Sequence, residues 1–98
     1  MSVLLKVQGE PPDWNKFKAA KEWNYGQNPP GLISGKTYRA EGDPRKILIL
    51  EEWESSDAWW EYVESVGQEW NIRAGITEDN KVDWEDTIWV LSDAPEVG

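Results

Sequence analysis

Two four-residue runs constrain this chain more than any other feature: Ile47-Leu48-Ile49-Leu50 and Ile88-Trp89-Val90-Leu91 are apolar at every position. Successive side chains of a strand point to opposite faces, so a strand with one wet face alternates apolar and polar residues. An unbroken apolar run therefore predicts a strand that leaves water on both sides. The chain has 98 residues, the size of a single domain. Residues 1–92 are read as that domain and residues 93–98, Asp93-Ala94-Pro95-Glu96-Val97-Gly98, as a fraying tail. A domain of this length carries helices for one face of a sheet only. The economical cover for the second face is another copy of the chain, which predicts a homodimer through the sheet face.

Periodicity and breakers give the remaining elements. Val3, Leu5 and Val7 alternate with Leu4, Lys6 and Gln8, predicting a first strand that Gly9-Glu10-Pro11-Pro12 ends. Asp13 stands where a helix N-cap belongs. Phe17, Ala20 and Trp23 or Asn24 follow at helical spacing, with Lys16, Lys18 and Lys21 mostly toward solvent. Asn28-Pro29-Pro30-Gly31 closes this helix, because consecutive prolines supply no backbone donors. Leu32 to Ala40 alternates again, Glu41-Gly42-Asp43-Pro44 is a turn, and Ile47 to Trp53 completes a hairpin. Ser55 or Ser56 caps a second helix, whose Trp59, Tyr62, Val63, Val66 and Trp70 share one face. Asn71 to Ile76 reads as a short extra turn, Glu78-Asp79-Asn80 as a loop, and Thr87 to Leu91 as the last strand. The order βαββαβ packs as an α+β, ferredoxin-like domain, with two helices on one face of a four-stranded antiparallel sheet.

Histidine and cysteine are absent. That excludes disulfides, thiolate nucleophiles, zinc sites with the usual ligands and the Ser-His-Asp triad. Chemistry is left to carboxylates, tyrosines, lysines, amides and eight tryptophans. Ten Lys+Arg against 19 Asp+Glu give a net charge of −9, which repels phosphate backbones and anionic lipid, so neither nucleic acid nor membrane is expected as a partner. No secretory leader is recognised, and no apolar stretch reaches the roughly 18 residues of a transmembrane helix, so a cytoplasmic protein is expected. Glu78-Asp79-Asn80 lacks a calcium-loop pattern, and Gly26, Gly31, Gly35 and Gly42 do not form a phosphate loop. No metal and no cofactor are expected.

Trp53, Trp59 and Trp70 are assigned to the core. Trp23, Tyr38, Tyr62 and Trp89 are the candidates for a pocket between helices and sheet, where aromatic rings would hold a small molecule. Trp14 and Trp60 fall off the apolar stripes, at a pocket mouth or a dimer edge. Acidic groups bracket two tryptophans: Glu51, Glu52 and Glu54 about Trp53, and Asp83, Glu85 and Asp86 about Trp84. Runs of acid ordinarily face water, but one carboxyl turned inward beside an indole would have its pKa raised and could serve as a general base.

The passage Ile47-Leu48-Ile49-Leu50-Glu51-Glu52-Trp53-Glu54-Ser55, followed by an aromatic helix, resembles the strand-then-Trp-Glu-Ser segment of the antibiotic-biosynthesis monooxygenase family. Pro30-Gly31-Leu32 at the start of the second strand is similar to members of that group, and the element order over residues 3–91 agrees. The resemblance implies a homodimeric α/β barrel with an apolar pocket. Its haem-degrading members use a Trp and a His on the second-helix side and an Asn on the first strand. Here those positions fall on Tyr62, on Asn71 or Ile72, and on Val7 or Gln8, so haem ligation by that route is excluded. What the resemblance then implies is a cofactor-independent monooxygenase or cyclase acting on an aromatic small molecule. The alternative is a non-catalytic binding or structural dimeric protein of the same fold.

Overall fold

The computed structural model describes residues 1–81 and 84–98. Its order is β1 (Val3–Gly9), α1 (Trp14–Gly26), β2 (Leu32–Arg39), β3 (Ile47–Trp53), α2 (Ser56–Ala74) and β4 (Glu85–Trp89). The strands form one antiparallel sheet in the order β2-β3-β1-β4, the ferredoxin-like arrangement expected. Both helices begin as the sequence requires. The Asp13 carboxylate accepts from the Lys16 amide at 3.0 Å, and the Ser55 hydroxyl from the Ala58 amide at 3.1 Å, each satisfying a donor that the first turn leaves free.

Register decides which face each residue takes. Along β3, Ile47, Ile49, Glu51 and Trp53 are buried beneath the helices, while Leu48, Leu50 and Glu52 point the other way. The core has two parts. Phe17 of α1 packs with Ile47 and Ile49, and Trp59 of α2 packs with Val3, Leu5 and Trp53. The other face carries Leu4, Leu50, Tyr38 and Trp89, and among the described residues no helix lies over it. Leu4 and Trp89 remain 41% and 51% exposed.

Four local expectations are corrected. A bulge between Leu32 and Ser34 breaks the even alternation of β2, so Leu32 joins the core opposite Trp53 while Ser34 and Tyr38 face outward. Helix α2 runs through the expected extra turn to Ala74, because its stop signal is Gly75, which takes the left-handed conformation at φ 76°. Strand β4 is shifted toward the N-terminus: it starts at Glu85 and ends at Trp89, where its pairing with Leu4 runs out near the start of β1. Val90 and Leu91 therefore lie beyond the sheet, 69% and 79% exposed. Finally, Lys21 is not on the solvent side. It follows Phe17 by four residues and Ala20 by one, on the same helical face, and is buried with them. No helix among the described residues is long and apolar enough to cross a membrane.

Candidate functional site

A cavity of about 370 Å³ lies between the helices and the covered face of the sheet. Leu5, Val7 and Ile49 supply its sheet wall, and Val63 and Val66 of α2 the wall opposite. Aromatic rings close it: Trp59, Trp60 and Tyr62 from one end of α2, Trp70 from the other, with Trp53 and Trp84. The α2 stripe read from the sequence is thus cavity lining as well as core. Trp59 and Trp60 lie with ring centroids 4.5 Å apart, and Trp60 is the exposed member of the pair.

A polar cluster interrupts this lining. Glu51, on the central strand β3, is 4% exposed, and three donors point at its carboxylate. Lys21 Nζ donates to Oε2 at 2.7 Å, the Tyr25 hydroxyl donates to Oε2 at 2.8 Å, and Trp53 Nε1–H donates to Oε1 at 3.0 Å. The Lys21 ammonium also lies 4.2 Å from the Tyr25 ring centroid and 5.3 Å from that of Trp70. Glycine at position 35, paired with Glu51 across the sheet, makes room: a Cβ there would sit 2.9 Å from Tyr25 Cζ and 3.3 Å from Glu51 Cγ. A second polar pair flanks the first, where the Tyr62 hydroxyl donates to Asn24 Oδ1.

Burial sets the protonation of this cluster. It pulls the Lys21 ammonium below the ordinary lysine range, and the attraction and hydrogen bond of Glu51 offset that only in part. It pushes the Tyr25 hydroxyl up, and the adjacent Glu51 charge pushes the same way. Tyr62 is raised for the same two reasons. Asp86 of β4, an exposed residue that also borders the cavity, has its carboxyl shielded enough to lie above the usual carboxylate range. Among the described residues, the buried indole nitrogen of Trp84 has no hydrogen-bond partner.

Of the four aromatic candidates, Tyr62 lines the cavity. Tyr38 and Trp89 lie on the open sheet face, bordering a shallow groove of about 520 Å³ with Leu4, Leu50 and Glu52. Trp23 stacks under Arg73, whose guanidinium carbon is 4.5 Å from its ring, and it is Asn24 that turns into the cavity. Of the acidic candidates, Glu51 is the one turned fully inward beside an indole, Glu52 and Glu54 are on the outer side or exposed, and Asp83 lies outside the described residues. At the positions compared with haem-degrading proteins, Tyr62, Asn71 and Val7 line the cavity, while Gln8 and Ile72 are exposed. Sequence reasoning missed Lys21 and Tyr25, and offered Asn24 only as the alternative to Trp23 on the inner helical stripe. The available signal was the i, i+4 step from Phe17 to Lys21, and from Lys21 to Tyr25, on one helix.

No protein-family model matches the chain. No curated protein matches it either. Solved structures do share its fold. A candidate antibiotic biosynthesis monooxygenase from Bordetella bronchiseptica superposes with a TM-score of 0.72 at 13% identity, over 93% of this chain and 97% of its own. A similarly described protein from Nitrosomonas europaea gives 0.70 at 16% identity, over 90% and 88%. SnoaB from Streptomyces nogalater, a cofactor-independent oxygenase, gives 0.64 at 9% identity, over 98% and 95%. The chain therefore has the fold of antibiotic biosynthesis monooxygenase-like proteins, as the Trp-Glu-Ser passage implied.

Proposed function

We propose that this chain is a small enzyme that oxygenates or cyclises an electron-rich aromatic molecule in the cavity between α2 and the sheet, without metal or flavin. The observation that carries the reading is one cavity, of a volume within the roughly 300–1,000 Å³ of small-molecule sites, lined by apolar and aromatic side chains around one buried proton-exchanging cluster. Tyr62 and the tryptophans position a planar ring system, and the Lys21–Glu51 pair takes a proton from its acidic hydroxyl or methylene. The resulting anion is electron-rich enough to reduce molecular oxygen. For a methylene flanked by aromatic rings the balance closes without another reactant. Its two C–H bonds supply two hydrogens and four electrons, one oxygen atom stays as a carbonyl, and the other leaves as water. Incubation with anthrone- and naphthol-type phenols in air, followed by oxygen uptake and product absorbance, tests this. Turnover above buffer that Glu51→Gln abolishes supports the reading, and no turnover across the panel refutes it.

One observation favours a second reading. Both Glu51 oxygens already accept hydrogen bonds, three in total, which restrains the carboxylate as a base and suits a protein that retains its ligand unchanged. Quenching of tryptophan fluorescence by those phenols, with the phenol recovered intact, identifies that case.

The working form is a homodimer joined through the open sheet face, and residues 1–92 act as its unit. Helices cover one face only, and Leu4, Tyr38 and Trp89 stay exposed on the other. Tyr38 and Trp89 are assigned to this interface, and Trp23 to the outside of the helix pair. Sedimentation velocity at micromolar concentration should find a dimer that Trp89→Lys dissociates. A wild-type monomer would remove the interface from the proposal.

A further inference from the structure

Lysine is among the residues least often buried, and it seldom lies beneath a helix unless it is paired with a carboxylate. Lys21 does: its side chain is 11% exposed, one face of it borders the cavity, and its nitrogen rests 2.7 Å from Glu51 Oε2. Lys16, Lys18, Lys36 and Lys46 are exposed, and Lys81, which also borders the cavity, is held at the surface by Glu78 at 2.9 Å. A primary amine in an apolar cavity, with a carboxylate in hydrogen-bond contact to carry its protons, is the arrangement that imine formation with a carbonyl requires.

We infer that Lys21 is a covalent attachment site, at which an aromatic aldehyde or ketone bound in the cavity condenses with the lysine nitrogen to form an imine. This rests on the cavity admitting aromatic molecules, as proposed above, and goes beyond it in assigning a nucleophile and a different ligand class. The Lys21 ammonium passes a proton to Glu51, and the freed nitrogen pair attacks the carbonyl carbon. The C=O π pair moves to oxygen, which takes a proton back from Glu51. The nitrogen, which still holds two protons, sheds one to the same carboxylate, that proton joins the departing hydroxyl, and water leaves as the C=N bond forms, giving a protonated imine beside the Glu51 carboxylate. One water is released per imine, and no oxidant or reductant is consumed. Burial supports the first step, because it holds the Lys21 ammonium below the ordinary lysine range and enlarges the share of free amine at neutral pH. Tyr25 and Trp70 flank the nitrogen, so the attached group would extend along the apolar wall toward α2.

The test uses 2-naphthaldehyde with sodium cyanoborohydride at neutral pH on the intact protein, followed by peptide mass mapping. The expected result is one reduced imine per chain, on Lys21, formed about tenfold or more faster than on any exposed lysine, because the cavity holds the aldehyde beside that nitrogen. Lys21→Arg keeps the cation and should lose the adduct. If that variant does not fold by circular dichroism, Lys21→Met with Glu51→Gln removes the amine and its counter-charge together. Labelling spread over exposed lysines, or concentrated on Lys81, overturns the inference. A parallel titration with 2-naphthol, which has no carbonyl, separates the two failures. Quenching by naphthol without a Lys21 imine leaves the cavity reading standing and refutes the covalent site, whereas no binding of naphthol refutes both.

Discussion

The Lys21–Glu51 pair makes the sharpest thermodynamic prediction, because one polar cluster in an apolar cavity carries two opposite charges. At 2.7 Å, with an effective dielectric constant of about 20, their attraction is about 6 kcal/mol. Desolvation of two groups that are 11% and 5% exposed cancels most of it, so the pair contributes little net stability. Breaking it is another matter. Lys21→Met leaves the Glu51 carboxylate buried with two neutral donors, Tyr25 and Trp53, and should cost about 3 kcal/mol. Glu51→Gln strands the ammonium and leaves Tyr25 and Trp53 a neutral acceptor, for a similar cost. The double variant buries no charge but leaves an amide N–H2 at position 51 without an acceptor, so its cost should be about 3 kcal/mol in place of the additive 6, a coupling of about 3 kcal/mol. Urea unfolding at fixed protein concentration, with a slope of about 1–1.5 kcal/mol per molar, would place each single variant about 2–3 M below wild type, and the double variant no lower. Coupling below about 0.5 kcal/mol would mean the two charges do not share a dry site, and the account of the cavity floor would fail.

Two further predictions concern the same cluster. Tyr25 keeps its proton in the folded chain at a pH where an unfolded tyrosine, with a pKa of about 10, has lost it. The native state therefore binds more protons above pH 10, and stability falls as pH rises. Tyr25→Phe should remove about 1 kcal/mol per pH unit of that decline between pH 10 and 11.5, the full 1.4 being discounted for partial exposure of the hydroxyl. Tyr62, shifted the same way, and Lys21, shifted so that stability gains toward pH 10.5, are present in both proteins and cancel in the difference; parallel pH curves would refute the assignment. Gly35→Ala should cost about 2 kcal/mol by crowding Tyr25 and Glu51, and about 1 kcal/mol in the Tyr25→Phe background, where the nearest atom is gone; equal costs in urea unfolding would place the strain elsewhere.

Element order was legible because breakers and caps act locally. Pro11-Pro12, Pro29-Pro30 and the turn at residues 41–44 divide the chain whatever the tertiary packing, and Asp13 and Ser55 make their capping bonds within three residues. What failed depended on partners. The bulge at Leu32/Ser34 exists because β2 must reach Trp53 with one residue to spare, and β4 stops at Trp89 because its partner strand begins at Val3. Neither condition is written in the residues that obey it.

The site divides along the same line. Apolar side chains announce burial by their own chemistry, so the α2 stripe of Trp59, Tyr62, Val63, Val66 and Trp70 could be read directly, and it proved to be the cavity wall. Polar side chains do not. Lys21 is buried because Glu51, thirty residues later, is aimed at it, and Glu51 is buried because Lys21, Tyr25 and Trp53 satisfy its carboxylate. Each position alone reads as solvated charge, which is the correct expectation for a lone Lys or Glu. Only the register that sets Gly35 beside Glu51 opens a space for the Tyr25 ring, and that register is a property of the β2–β3 hairpin as a whole. The same reasoning separates Tyr62 from Tyr38 and Trp89. All three are aromatic on regular elements, but strand parity sends the latter two to the open face, so their rings lie outside the cavity that the Tyr62 ring lines. With no histidine or cysteine in the chain, the proposed proton exchange falls to this one buried pair, and substitutions there should separate binding from turnover.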